Sequence, residues 1–411
     1  MATPDKFLLI AMTMSPFDLN LRHLRAIPLI ARRGSMSAAA DAATLSQPAL
    51  TQGLAKIERQ LGLPLFDRRP DGMTATPSGH AFVERIDAAF DHLAVGARAF
   101  ARGTRGFARP EALMTATQLR AFLALADAGS FADAGRATGW SQPALHRAVR
   151  DLEHLGALPL VERRGRGVAL TRAGRALARG IRLAAGELAA GIAETRPDAS
   201  LSGRLAIGAM PLSRALLLPT AIAALVREAP GAAIEVVEGS WRELVEPLRD
   251  GVIDIMVGAL RPEVPHGLAQ APLFEDRLVV VARAGHPLAH VGDPTPDQLA
   301  GFPWIIGAAE SPLRAHWEAL FAGMAVRAPI ACGSVMTIRG ILADSDCLTL
   351  LSPDQIAMEV ATGVLTTIGA PRREMTRLIG ITTRAGTRPT RLLSRCIELL
   401  GDASFRKSDI D

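Results

Sequence analysis

Apolar residues in the first part of the chain recur at helical spacing. Leu21, Leu24, Ile27 and, beyond Pro28, Ile30 fall on one face of a predicted first helix. Gly34-Ser35 punctuates it, and Ser37 is expected to open a second helix, alanine-rich through residue 43 and small enough for close packing. After Thr44-Leu45, Ser46 occupies an N-cap position with Pro48 in the first turn. Leu50, Leu54, Ile57 and Leu61 then mark the buried face of a third helix, which Gly62 ends. Short apolar stretches around Arg68-Arg69 and residues 73–76 predict a β-hairpin. Two helices joined by a tight turn and followed by a hairpin make a winged helix-turn-helix.

The same pattern returns 95 residues later. Residues 19–80 match residues 114–175 without a gap, and 22 of the 62 positions are identical. SQPAL occurs at residues 46–50 and again at 141–145, Gly34-Ser35 pairs with Gly129-Ser130, and Arg68-Arg69 with Arg163-Arg164. Chance does not hold such a register over that length, so the chain carries a duplicated module. A helical stripe follows each copy: Phe82, Ile86, Phe90, Leu93, Ala97 and Phe100 after the first, Leu177, Ile181, Ala184, Leu188 and Ile192 after the second. From Gly203 the texture changes. Strand-like runs at residues 205–208, 233–237, 253–257 and 278–282 alternate with helical stretches at 214–227 and 243–248, which reads as α/β. A second set has runs at 304–306, 347–351 and 364–368 with a helix at 313–321. The chain then returns with 378–382 and a last helix at 390–399.

With 411 residues, 49% of them hydrophobic, the chain can bury several cores. Its net charge of +5 is unevenly divided: residues 1–200 hold 26 Lys/Arg against 18 Asp/Glu, the rest 20 against 23. A basic half joined to a slightly acidic half fits a nucleic-acid reader joined to something else. Opposite the buried stripe of the third helix, Pro48, Thr51, Gln52 and Ala55 face outward; in the second copy the same face shows Pro143, His146, Arg147 and Arg150. Gln47 and Gln142 flank these faces at the helix starts, where a side chain reaches base edges. Arg68, Arg69, Arg163 and Arg164 in the wings suit a grip on phosphates. A solvated helix face explains any one such polar residue; a capped, periodic and duplicated unit favours DNA.

Cys332, Cys347 and Cys396 form no CxxC and no framework, which fits a cytoplasmic setting, with a redox switch between two of them as the lesser alternative. The apolar run at residues 7–14 is too short to cross a membrane, and residues 1–16 read as a loose tail.

Both copies resemble the winged helix-turn-helix of LysR-type transcriptional regulators. The shared pattern is a leucine-arginine start, glycine-serine, a small-residue helix, Ser-Gln-Pro-Ala, a glutamate, Leu-Pro-Leu-Phe, paired arginines and Thr-Pro-x-Gly. The first copy carries it through Glu58, Phe66 and Thr76-Pro77-Ser78-Gly79. The second departs at Val161 and Arg172, and it has Ala132 and Asp133 where the first has Ser37 and Ala38. Ser37 suits a phosphate contact, whereas an aspartate near DNA is repelled. Arg147 keeps the basic residue the family usually shows after the pentapeptide, and Gln52 does not. Family members normally carry one such domain, so the tandem is a departure.

The resemblance implies an α plus α/β fold: a tail at residues 1–16, winged helix-turn-helix domains at 17–80 and 111–175, linker helices at 81–110 and 176–200, and at 201–411 a two-lobed type 2 periplasmic-binding-protein-like effector domain. It implies binding to double-stranded promoter DNA, a small-molecule effector, homo-oligomers, contact with RNA polymerase, and no cofactor. In the family the linker helix pairs with its counterpart on a second chain. Here the two stripes are expected to pair within one chain, with pairing across chains as the rival.

Between the lobes, free backbone N–H groups at helix starts suit an anion. Ser213, Ser311 and Thr337 stand near such starts, and Met210, Leu212 and Trp241 offer apolar walls. Plain N-capping explains each serine or threonine as well. A carboxylate metabolite is the favoured effector class. An enzyme fits poorly: Gly165-Arg166-Gly167 begins a GxGxxG motif that Leu170 breaks, no GxSxG, HExxH or Walker loop occurs, and His286 and His290 sit by proline and glycine in a loop rather than a metal site. The remaining rival is a protein-interaction module that has lost DNA binding, for which Asp133 is the motivating residue.

Overall fold

The computed structural model describes residues 14–70, 72–98, 107, 109–165, 167–195, 201–211, 217–307, 309, 311–370 and 375–408. Two compact units divide the chain. The first is Met1–Arg204 with Ala229–Ala233 and Arg249–Val252, and the second is Leu205–Glu228, Ile234–Leu248 and Ile253–Asp411.

In the first unit one order of elements occurs twice. Helices α1 (Leu21–Arg33), α2 (Met36–Ala42) and α3 (Gln47–Leu61) precede a hairpin of β1 (Phe66–Arg69) and β2 (Gly72–Ala75) and a long helix α4 (Pro77–Ala97). Then α5 (Ala116–Ala128), α6 (Phe131–Thr138) and α7 (Gln142–Gly156) precede β3 (Val161–Arg164), β4 (Gly167–Leu170) and α8 (Arg172–Glu194).

The identical residues of the two copies do the same local work. Ser46 and Ser141 cap α3 and α7, their hydroxyls accepting the Ala49 and Ala144 N–H. The Glu58 carboxylate accepts the Leu65 and Phe66 N–H at 2.8 and 3.3 Å, and Glu153 repeats this with Leu160 and Val161 at 2.8 and 3.4 Å. Thr76 and Thr171 donate to Pro64 and Pro159 carbonyls and cap the long helices. A Cβ at Gly79 or Gly174 would overlap the Leu65 or Leu160 carbonyl, so both positions need glycine.

Ser35, not Ser37, caps α2, its hydroxyl accepting the Ala38 N–H at 3.4 Å; Ser37 is exposed inside the first turn. The glycine-serine pair thus ends one helix and starts the next, because Gly34 takes the left-handed conformation that lets Ser35 cap at once.

Neither copy has a closed core of its own. One apolar cluster runs from Leu24, Leu50 and Ile57 through Phe82 and Ile86 to Leu119, Leu145, Leu177 and Ile181. Of the first predicted stripe Phe82, Ile86, Leu93 and Ala97 are buried, Phe90 is half-buried and Phe100 lies outside the described residues; the second stripe is buried throughout. Helices α4 and α8 lie antiparallel against each other: a Cβ on Gly96 would come within 2.9 Å of the Gly180 Cα, and one on Gly191 within 2.7 Å of the Phe82 ring. The expected pairing within one chain is present.

In the second unit the first lobe holds β5 (Gly203–Ala209), α9 (Leu217–Glu228), β6 (Ala232–Glu238), α10 (Trp241–Arg249), β7 (Ile255–Ala259) and β8 (Leu268–Arg277). The second holds β9 (Val279–Arg283), α11 (Pro296–Ala300), β10 (Ile305–Ile306), α12 (Pro312–Leu320), β11 (Ile330–Ala331), α13 (Val335–Ala343), β12 (Thr349–Leu351), α14 (Ala357–Ala361) and β13 (Leu365–Ile368). The chain then returns to the first lobe with β14 (Thr376–Arg384) and ends in α15 (Arg391–Ser408). The large sheet has the order β6-β5-β7-β14-β8, with β5 parallel to β7 and β14 antiparallel between β7 and β8. The second lobe has an antiparallel sheet β12-β9-β13 and a parallel pair β10-β11.

The sequence pattern missed β8, and Pro272 is the reason. A proline inside a run argues against a strand, but β8 is an edge strand, and a bulge at Ile379/Gly380 accommodates the proline opposite Gly380.

The copies differ where α3 and α7 end. Gly62 closes α3 at φ 80°, whereas Ala157 closes α7 at φ 51°. An L-residue with a Cβ in that region costs about 1–2 kcal/mol, and glycine loses about 0.4–1 kcal/mol more in chain entropy. Ala157→Gly is therefore expected to stabilise the first unit by roughly 0.5 kcal/mol. The midpoint of urea unfolding checks this; a lower midpoint would show the exposed methyl to be worth more than the strain.

Candidate nucleic-acid interface and ligand cleft

The two third helices expose unlike faces. On α3, Gln47, Pro48 and Gln52 are exposed, while Thr51 is half-buried and its hydroxyl donates to the Gln47 carbonyl at 2.9 Å. On α7, Gln142, Pro143, His146, Arg147 and Arg150 are all exposed and line one open groove with Asp151 and His154. His146 stacks on Phe131, ring centroids 3.6 Å apart and planes 16° from parallel, which fixes the imidazole against the start of α6. The groove therefore presents two guanidinium groups and a held imidazole, where α3 presents amides and a hydroxyl.

Both hairpins are antiparallel, pairing Arg68 with Met73 and Arg69 with Gly72, and Arg163 with Val168 and Arg164 with Gly167. All four arginines are exposed. Successive residues of a strand point to opposite faces, so each wing offers one arginine on each side.

Asp133 is less isolated than the sequence suggests. Its carboxylate accepts the Ser130 hydroxyl at 2.6 Å and pairs with Arg136. The Ser130 hydrogen bond first, and then Arg136, hold the carboxyl below its ordinary range. The negative charge stays, with a cation beside it.

In the second unit a cavity of about 310 Å³ opens between the lobes. Met210, Trp241 and Arg261 line it from one side, with the Arg261 guanidinium 5.3 Å from the Trp241 ring centre. Ser311, Leu313, Cys332, Val335 and Ile338 line it from the other, together with Gln355. Of the residues expected there, Met210, Trp241 and Ser311 come together. Ser311 caps α12, its hydroxyl accepting the Arg314 N–H at 3.2 Å. Thr337 is not among the lining residues. It is exposed in the first turn of α13, and its hydroxyl donates to Ser334, the true cap. Leu212 and Ser213 lie outside the described residues.

The sequence reading missed Arg377, which also lines the cavity. Its side chain is 9% exposed, and its Nε donates to Asp276 at 2.9 Å. Asp276, 1% exposed, also accepts the Ser352 hydroxyl at 2.7 Å, while the Ser352 N–H donates to the Gln355 side chain at 3.1 Å. The Arg377 Nη2 is buried with no hydrogen-bond partner among the described residues. Burial pulls the Arg377 pKa down and Asp276 opposes it. The predicted strand began at residue 378, one residue past Arg377; only the return of β14 between β7 and β8 brings Arg377 to the cleft.

Among the described residues no group of three His, Cys, Asp or Glu is placed to hold a metal ion. His286 is buried, its Nδ1 accepting the Leu288 N–H at 3.1 Å. Cys396 and Cys347 are buried, and burial pushes the Cys396 thiol up to about 11. No described helix is long and apolar enough to cross a membrane.

Comparison with known proteins adds the following. The family model of the LysR substrate binding domain matches residues 198–404, and that of the bacterial regulatory helix-turn-helix protein, lysR family, matches residues 21–80 and 116–175. The chain is 32% identical over 375 residues to the HTH-type transcriptional regulator GalR of Pseudomonas putida, covering 89% of this chain and 93% of that protein. It is 28% identical over 291 residues to PcaQ of Agrobacterium fabrum, covering 70% of this chain and 94% of that one. Among solved structures, a full-length OxyR variant from Pseudomonas aeruginosa superposes with a TM-score of 0.58 at 23% identity, covering 71% of this chain and 94% of its own. ArgP from Mycobacterium tuberculosis gives 0.56 at 18%, covering 70% and 96%. At those identities the two structures speak for the fold alone.

The wing geometry yields a direct test. Glu153→Ala strips two part-buried N–H groups, those of Leu160 and Val161, of their acceptor, which costs roughly 1–3 kcal/mol. Faster hydrogen exchange confined to β3 and β4 is the expected result; unchanged exchange there would show that water replaces the carboxylate freely.

Proposed function

The chain belongs to the LysR family of ligand-responsive, DNA-binding transcription regulators, and from that premise we propose that both of its helix-turn-helix copies read DNA. In this reading residues 17–80 and 111–175 are duplicated DNA-binding domains, 81–110 and 176–200 are linker helices, and 201–411 bind the effector. The observation that carries it is the paired set of outward faces: exposed Gln47, Pro48 and Gln52 with half-buried Thr51 on α3, and exposed Gln142, Pro143, His146, Arg147 and Arg150 on α7. The exposed wing arginines stand ready for phosphates beside each, and Ser37, exposed in α2, suits a further phosphate contact in the first copy alone. The alignment with GalR supports two copies, since it leaves fewer residues of this chain unmatched than either 60-residue copy contains.

Arg147 and Arg150 are proposed to meet bases or phosphates, and Gln52 a base edge. Arg147→Ala and Arg150→Ala are expected to weaken binding by about 1–3 kcal/mol each, whereas Gln52→Ala mainly changes preference at one position. Fluorescence anisotropy on DNA from upstream of the protein's own gene, across a salt series, measures both. Unchanged affinity and footprint in the arginine variants would reduce the second copy to a structural role. Absence of any salt-dependent DNA binding would favour the protein-interaction reading; the Arg136 partner of Asp133 weakens its main argument.

For the effector we propose an anion with an apolar body, a carboxylate metabolite by preference. The buried Nη2 of Arg377 without a partner supports the charge, and Met210, Trp241, Leu313 and Val335 support the apolar part. Leu212 and Ser213, outside the described residues, are proposed as further effector contacts. Bound between the lobes, the effector would shift how the bound promoter is bent or how RNA polymerase is met, in the cytoplasm. Loss of the charge-assisted hydrogen bond costs about 1.5–3 kcal/mol. Arg377→Met is therefore expected to abolish thermal stabilisation by carboxylates in a panel screened beside their neutral amides. Amides that stabilise as well as the acids would refute an anionic effector.

A further inference from the structure

The seam between α4 and α8 carries more than apolar stripes. Arg85 of α4 is 2% exposed, and its guanidinium is shared by two carboxylates of α8. Its Nη1 donates to Glu187 at 2.7 Å, while Nε (3.3 Å) and Nη2 both donate to Glu194. Burial works against the cation, and the two glutamates outweigh it, so the Arg85 pKa is raised.

The 95-residue repeat makes this seam readable as a pseudo-twofold. Gly96 of α4 meets Gly180 of α8, and Gly191, the counterpart of Gly96, meets Arg85, the counterpart of Gly180. The apolar positions are interchangeable between the helices: Phe82, Ile86, Ala89, Leu93 and Ala97 answer to Leu177, Ile181, Ala184, Leu188 and Ile192, all buried. The charged positions are not. At the places of Glu187 and Glu194 the first copy has His92 and Ala99.

In a symmetric pair of two α4 helices, each Arg85 would meet His92 in place of Glu187, and Ala99, the uncharged counterpart of Glu194, lies outside the described residues. In a pair of two α8 helices, Glu187 and Glu194 would meet Gly180 in place of a guanidinium. Either arrangement buries charges that lack their partners, the situation in which a buried ion pair matters most. Small residues permit the close approach, and the ions choose the partner.

We propose that Arg85, Glu187 and Glu194 form a pairing code that admits α4 only to α8, so that a single chain is a complete two-headed unit and needs no second copy to close this seam. The tether of one chain favours the internal partner over the same helix of another copy. The unlike faces of α3 and α7 then travel together on one chain, and an asymmetric DNA site suits them better than a palindrome. That last consequence rests on the DNA-reading proposal; the pairing itself does not.

The experiment uses the full chain without DNA. Spin labels are placed on exposed Val95→Cys and on Gly186→Cys, where an added side chain meets nothing within 4 Å, in a background of Cys332→Ser. Pulsed dipolar spectroscopy is recorded with and without a tenfold excess of unlabelled chain. The expected result is one short distance whose amplitude survives dilution; an amplitude that falls with dilution places the pairing across chains and overturns the proposal.

Arg85→Glu should abolish the short distance, and adding Glu187→Arg with Glu194→Gln should restore it. A short distance that persists in Arg85→Glu shows that the ions do not select the partner. Should Arg85→Glu fail to fold, the neutral set Arg85→Met, Glu187→Gln and Glu194→Gln decides instead. It should fold and lose amplitude on dilution with unlabelled chain of the same neutral sequence, and undiminished amplitude would count against the code.

Discussion

The first unit depends on one constraint: two long amphipathic helices whose apolar stripes must be covered. A helix that buries one face needs a partner, and small modules of this size gain little from their own interiors. Here α4 and α8 supply that partner to each other, and the apolar cluster they create takes in the inner faces of both three-helix modules. Helices α3 and α7 are therefore each held by a core to which the other copy contributes. Arg85 sits toward one end of that seam, beside Gly191, and its ion pairs with Glu187 and Glu194 offset the cost of burying its charge.

From this seam outward the structure is built by short polar locks. One glutamate oxygen in each copy takes the first N–H groups of the wing, one threonine ties the wing's end to the long helix, and one glycine lets helix and loop touch. These locks account for three of the 17 identities between the copies outside SQPAL. Freed from them, the outward faces have diverged: amides and a hydroxyl on α3, guanidinium groups and a stacked imidazole on α7. Scaffold and outward surface are thus separate sets of residues on the same helices.

In the second unit polar groups gather at the cleft by topology. The return of β14 to the first sheet places Arg377 beside Asp276 from β8, and Ser352, just after β12, completes the buried chain of hydrogen bonds. The three residues are far apart in sequence and come from both lobes. The unpartnered Nη2 of Arg377 thus belongs to a group linked to the second lobe through Asp276 and Ser352.

The sequence by itself determined the 95-residue repeat, the helix faces, the caps at Ser46 and Ser141, the hairpins and the α/β texture after residue 203, because these rest on self-similarity, on periods of 3.6 and 2 and on local capping chemistry. It placed the exposed residues of α3 and α7 for the same reason: a helix face is fixed by spacing alone. It misplaced the α2 cap by two residues, since Ser35 and Ser37 are equally good caps until the left-handed Gly34 selects one. It passed over β8 because Pro272 argues against a strand unless the strand lies at a sheet edge, and edges belong to the whole sheet. Arg85 and Arg377 looked like ordinary polar positions. Their partners stand 102 and 101 residues away, at Glu187 and Asp276, and burial of a charge becomes meaningful only when the tertiary structure brings such partners within hydrogen-bonding reach.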